Sequence, residues 1–371
     1  MEKHNYIGLI TAPELPTEMV KKFIDKLPQV FEQKIDRSAS WEVEMVEDPL
    51  TGAAEGANEI FDETLKIKKK NNWDYAISLT DLPIFYGKYT VAADQHFQNN
   101  IASISIPAFG WIKLKSAVMK AIVHILKELV YHSEDKNREE IAEKCAPEKW
   151  EKNFPAIWVK RMETVDHPRQ AEVQYLIIPK VYGKIRLLIG MIQSNRPMSI
   201  MRSFKKVLAV AFSTGAFGLI FTTLWNLSVI LSTARLGGLM TAAIMVMIIW
   251  IIFNHHLWEG KSAGNDRRLR RLYNLATFFT IFISVVTYYI LLWGFFFTAA
   301  AVLIPPEVFK DAVPMEGDTS IVHYMRVSWV AASISTIAGA IGAGMENEEL
   351  VRDITYGYRQ KRRFNGIQSG E

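Results

Sequence analysis

At 371 residues the chain exceeds one average domain, and its net charge of +4 is too small an excess to call for a nucleic-acid partner. A single cysteine, Cys145, excludes an intramolecular disulfide and any metal site built from several cysteines. Residues 1 to about 200 are mixed and charged, whereas Val207 to Met345 holds four long apolar stretches.

In chain order, "YIGLIT" (6–11) predicts a strand, and "PTEMVKKFIDKLPQVFEQKI" (16–35) predicts a helix, with Met19, Phe23, Leu27 and Phe31 one turn apart. "WEVEMVED" (41–48) alternates as a strand does, and "ANEIFDETLKIKKKN" (57–71) reads as a helix. "DYAISLT" (74–80) and "ASISIP" (102–107) are short apolar strands, and "IKLKSAVMKAIVHILKELVYH" (112–132) is a helix with an apolar stripe. Strands alternating with helices predict an α/β domain with a mostly parallel sheet over residues 1–135, in a Rossmann-like or zincin-like layout.

Four strands end in loops that carry proline: "TAPELP", "EDPLTG", "TDLP" and "SIPAFG". In a parallel sheet these loops meet at the carboxyl edge, where open α/β sheets bind ligands. That edge makes Thr11, Asp48, Thr51, Thr80, Asp81 and Ser105 candidate ligand-binding residues, although proline and Asp also build plain turns and caps. Neither GxGxxG after the first strand nor GxxxxGK[ST] occurs, so the glycine cradle of dinucleotide and nucleotide sites is missing. Carboxylates and hydroxyls suit a hydroxylated or cationic ligand better than a bare phosphate. The order of an acidic strand-end loop, a strand and a His-bearing helix resembles a zincin. Zinc proteolysis needs HExxH, however, whereas His124 and His132 are eight apart and Ile125 follows His124, which leaves a degenerate relative.

Residues 136–201 read as a charged connector with two further strands, in "PAIWVKRMETV" and "AEVQYLIIP", then an interfacial amphipathic helix over 180–197. That helix sets Val181, Leu188 and Ile192 opposite Lys184 and Arg186, as for a helix along the headgroups, with a core-packed helix as the alternative. Residues 202–345 predict a four-helix transmembrane bundle with spans at about 207–231, 239–257, 272–304 and 321–345, each approaching or exceeding the ~20 residues that cross a bilayer. Basic residues precede the first span and lie between the second and third (Lys261, Arg267, Arg268, Arg270, Arg271) and in the tail, 346–371. "PPEVFKDAVPMEGDTS" is acidic, so both termini are expected in the cytoplasm. "MEKHNYIGLI" has no signal-peptide pattern, which agrees with a cytosolic first half.

Small and polar residues recur every fourth position in span one (Thr214, Gly218, Thr222, Asn226) and span four (Ser335, Gly339, Ala343), a pattern for close helix packing. "NHHLWEG", at the cytoplasmic end of span two, offers His256, Trp258 and Glu259 as a juxtamembrane site, with Trp258 suited to an interfacial anchor.

The order "GLITAPELP", "WDYAISLTDLP", "SISIPAFG", "RLLIGMIQSNRP", "STGAFGLIFTTLWNL" and "HHLWE" resembles an uncharacterised family of Gram-positive bacterial integral membrane proteins over nearly the whole chain. Some members carry an automatic label of methylenetetrahydrofolate dehydrogenase, which the missing glycine fingerprint does not support. The resemblance and the residues together imply a multi-pass plasma-membrane protein whose cytosolic part is a ligand-sensing or regulatory and scaffolding module. A membrane-anchored enzyme at the sheet edge and a small-solute transporter are the alternatives. The implied partners are the lipid bilayer, a small molecule on the cytosolic domain and a second copy of the chain. No cofactor, catalytic residue or metal ligand is assigned.

Overall fold

The computed structural model describes residues 3–49, 51, 57–133, 159–163, 172–198, 204–260, 267–314, 317–343 and 358. Cys145, most of the connector and the basic tail apart from Tyr358 lie outside the described residues. The chain divides between Ser194 and Asn195 into two compact units.

The first unit is built on one eight-stranded sheet: β1 (Lys3–Thr11), β2 (Ala39–Glu47), β3 (Tyr75–Thr80), β4 (Ile84–Tyr86), β5 (Tyr89–His96), β6 (Ile101–Ser105), β7 (Val159–Glu163) and β8 (Val173–Ile177). The order is β2-β1-β3-β6-β5-β8-β7, with β4 paired to β5. β2, β1, β3 and β6 are parallel, as expected, but β4, β5, β7 and β8 join by antiparallel pairing. The sheet is therefore mixed rather than mostly parallel. β5 escapes sequence reading because "YTVAADQH" places two alanines, Asp94 and Gln95 where β-branched and aromatic residues usually mark a strand. β7 and β8, read within the connector, extend this same sheet.

The helices are α1 (Leu15–Val20), α2 (Leu27–Lys34), α3 (Ala57–Lys70), α4 (Leu114–Ser133) and α5 (Lys180–Ser194). The expected helix over 16–35 is split, because Pro28 lacks an N–H and clashes with a preceding turn, so it occupies the first turn of α2. α1, α2 and α4 cover the face of Leu9, Ile77, Ile104 and Tyr175. On the other face Ile10, Ala76 and Ile101 pack with Phe61 of α3 and Trp73. Gly8 lets Trp73 lie on β1, since a Cβ there would sit 1.7 Å from the indole.

α5 packs against the turn after β6. Gly190 faces Pro107, whose carbonyl oxygen would be 2.0 Å from an added Cβ, and Arg186 donates to the Ala108 and Phe109 carbonyls. The helix is thus core-packed through Leu187 and Met191, while Val181 of the expected stripe is exposed together with Ile185 and Ile189, and Ile192 is buried.

The second unit comprises α6 (Lys205–Gly218), α7 (Thr222–Ile230), α8 (Thr233–Asn254), α9 (Arg267–Leu303), α10 (Pro306–Ala312) and α11 (Ile321–Ala343). Two of these, α8 and α9, are long and apolar enough to cross a membrane, and α6 with α7 makes a third candidate only as a pair bent by 90°. The expected continuous span 207–231 is therefore broken. α11 has the length but carries His323, Arg326, Ser328, Ser333, Ser335 and Thr336. It packs against α6, α7, α8 and α9, so protein surrounds much of it.

Candidate functional site

The carboxyl edge of the parallel strands gathers the predicted residues, and the fold uses most of their hydrogen-bonding groups within the edge itself. Asp48 Oδ2 accepts from both the backbone N–H and the hydroxyl of Thr51 at 2.7 Å. The Thr51 carbonyl accepts from Thr80 Oγ1 at 2.7 Å, and Thr80 Oγ1 in turn accepts from the Leu82 N–H. Ser105 Oγ donates to the Leu82 carbonyl at 2.7 Å, so three of the loops are stitched in sequence. Thr11 shares a hydrogen bond with Thr17, and its carbonyl receives the Asp48 N–H. Asp81 is buried beside Thr80 and 1% exposed. These hydroxyls act as caps and cross-links, the local role that short polar side chains fill at strand and helix ends.

A second polar group lies in mid-sheet. Cross-strand registry sets Val46, Ile10, Ser78, Ser103, Asp94, Gln174 and Met162 in one row on one face. The row is apolar at both ends and polar at its centre. Asp94 and Ser103 are 0% exposed and Gln174 is 9%. Among the described residues, neither Asp94 carboxylate oxygen, nor Ser103 Oγ, nor Gln174 Oε1 has a hydrogen-bond partner. Burial pushes the Asp94 pKa up to about 7, and the nearby Gln174 side chain offsets part of that rise without reaching hydrogen-bonding geometry. Further along the same face, His96 Nδ1 lies 3.4 Å from Glu172. Each unpaired buried group costs about 1–3 kcal/mol, so three on adjacent strands are a concentrated liability unless a ligand meets them.

On the opposite face α4 carries His124, Glu128 and His132 at intervals of one turn. Glu128 is 0% exposed and accepts from Arg161 Nε at 2.7 Å and from the Tyr175 hydroxyl. Since Tyr175 gives its proton to Glu128, His124 Nε2, 3.1 Å from that oxygen, is the donor and the imidazole is neutral. Its pKa is pushed down to about 3, first by burial and then by Lys127 and Arg161. Desolvation opposes the charge of Arg161, but Glu128 and Glu163 outweigh it and raise its pKa. His132 instead stacks on Phe97 at 4.0 Å. Among the described residues no group of three or more His, Cys, Asp or Glu could hold a metal ion.

In the helical unit, His256 is exposed and takes a left-handed conformation (φ 51°) where α8 ends. Leu257 N–H bonds to the Ile252 carbonyl and His256 N–H to that of Phe253, the pattern that closes a helix C-terminus. Trp258 and Glu259 help line a cavity of about 640 Å³ with Arg270, Arg271, Leu275 and Phe278. Asn274 holds that turn by both ends, accepting from the Glu259 N–H at 2.9 Å and donating to its carbonyl at 3.3 Å.

The mid-sheet row was invisible to sequence reading because it is a product of register between β6, β5 and β8. The one local signal is an aspartate inside "VAADQH", where a strand interior disfavours it. Comparison of the chain with protein-family models, with curated proteins and with solved structures gives no match.

Proposed function

We propose that this chain is a membrane-integrated sensing module of the bacterial plasma membrane, whose α/β unit lies in the cytoplasm and binds a small hydroxylated or amine-bearing molecule at Asp94, Ser103 and Gln174. One observation carries the reading: adjacent strands bury a carboxylate, a hydroxyl and an amide oxygen with no hydrogen-bond partner among the described residues. A ligand with several N–H or O–H donors satisfies all three, and Asp94 supplies the charge for an amine. The strand-edge residues keep the sheet's carboxyl end closed, as a scaffold for that face.

The α/β layout is taken as zincin-like and non-catalytic. Four parallel strands, the antiparallel β5 beside them with β8, β7 and β4 beyond it, and a His-bearing helix support the first part, and the filled Glu128, Arg161, Tyr175 and His124 network supports the second. The helical unit is proposed to cross the membrane four times with both termini inside, counting the broken α6–α7 pair and the protein-shielded α11 as spans. The resemblance to Gram-positive integral membrane proteins agrees with this placement.

The test is untargeted mass spectrometry of small molecules retained by the purified full-length protein. Wild type and Asp81→Asn should retain the same molecule, and Asp94→Asn should lose it. A retained molecule that is indifferent to Asp94, or none in wild type, overturns the proposal.

A further inference from the structure

The cavity beside Trp258 is independent of the sheet-face site and has a chemistry of its own. Its floor is the first three turns of α9, where Arg267, Arg268, Arg270 and Arg271 stand together with no acidic residue in the first turn. Cations at a helix N-terminus oppose the positive end of the helix dipole, so an anion placed there is favourable. Arg270 and Arg271 line the cavity itself, and Glu259 is the one acid among its described lining residues. Toward the helix interior the lining turns apolar through Leu275 and Phe278, and the same helix then presents Phe279 and Phe282 at 36% and 37% exposure. Trp258, 55% exposed, stands on the other wall as an interfacial ring would.

We infer that this cavity binds one anionic glycerophospholipid, with its phosphate against Arg270 and Arg271, its glycerol beneath Trp258 and an acyl chain along Leu275 and Phe278. The guanidinium groups offer the paired N–H donors that phosphate oxygens accept, and the aromatic wall continues where the hydrocarbon begins. Asn274 pins the Glu259 backbone to α9, so the spacing of the two walls is fixed before any lipid arrives.

The test uses the full chain in detergent, with phosphatidylglycerol, phosphatidylcholine or glycerol 3-phosphate added separately, read by thermal unfolding and native mass spectrometry. Phosphatidylglycerol should raise the melting temperature and the other two should not. The double substitution Arg270→Gln, Arg271→Gln should weaken phosphatidylglycerol binding by about tenfold or more. An equal rise with phosphatidylcholine, a full rise with glycerol 3-phosphate alone, or an undiminished effect in the variant would overturn the assignment. Should the variant not fold, the wild type still decides. An anionic phospholipid retained through purification supports the site, and its absence from the native mass spectrum refutes it.

Discussion

Asp94 and His124 are both buried ionisable groups of one sheet, yet they bend the pH dependence of stability in opposite directions. The Asp94 pKa is raised to about 7, so between about pH 4 and pH 7 the folded chain keeps a proton that the unfolded chain has lost. Stability from this group falls as pH rises through that window and is level above it. His124 is depressed to about 3, so between about pH 3 and pH 6.5 the unfolded chain binds the extra proton, and stability rises with pH. Melting temperatures of the ligand-free full chain from pH 4 to pH 8 should therefore show two opposing trends. Asp94→Asn removes the falling one, leaving a profile that rises to about pH 6.5, and at pH 8 the variant should melt above wild type. A profile unchanged by the substitution would place Asp94 in contact with solvent. At the strand edge, Thr80→Val removes one donor and one acceptor that tie its own loop to the loop of Thr51, and should cost about 1–3 kcal/mol in denaturant unfolding.

At the scale of elements, the break between α6 and α7 explains polar residues that a straight span would leave idle. The Leu219 carbonyl, freed by the bend, accepts from Trp225 Nε1 at 2.9 Å. Arg326 of α11 donates to the Ser228 carbonyl at 2.8 Å and to that of Leu231, so a cation covers the negative end of α7. Arg326→Met strands both carbonyls and should lower the melting temperature in detergent, at a cost of about 1–3 kcal/mol. The small-residue stripe is displaced from its expected position. Gly215, not Gly218, faces the bundle, for a Cβ on Gly215 would meet Ser335 Oγ at 2.1 Å and Phe296 at 2.2 Å, whereas one on Gly218 meets only Leu224 at 3.6 Å. Gly215→Ala should destabilise by about 1–3 kcal/mol and Gly218→Ala by less than about 0.5 kcal/mol. Gly339 does face a partner, since a Cβ added there would lie 2.7 Å from Tyr288 Oη, and it belongs with Gly215. The hydroxyls of Thr280, Ser284, Ser328 and Thr336 donate to the preceding turn of their own helices, which suits packing better than a solute path.

For the whole molecule, the testable statement is sidedness. α9 has 37 residues, about 55 Å at 1.5 Å per residue, and so is longer than the ~30 Å hydrocarbon layer by enough to leave its Arg-rich start outside that layer. With that start in the cytoplasm, Asp311 of the short helix α10 is outside. A cysteine placed at Asp311 should react with a membrane-impermeant thiol reagent in intact cells, and the native Cys145 should not. Labelling of Cys145 would reverse the proposed orientation of the first unit.

Periodicity by itself determined the parallel strands β1, β2, β3 and β6, the helices α3 and α4 and the apolar character of residues 207–345, because each follows from a local repeat of burial. Local pattern also placed the strand-end polar residues at one edge. It did not determine their use, since a threonine that caps a loop and one that meets a ligand have the same neighbours in sequence. Tertiary structure decided the rest. Register between β6, β5 and β8 brought Ser103, Asp94 and Gln174 onto one row from positions 103, 94 and 174. Packing against α11 set which glycine of α6 is indispensable, and the bend after Gly218 turned a continuous apolar run into two helices. Such features depend on which atoms meet across the fold, and a hydropathy pattern records only how deeply each residue is buried.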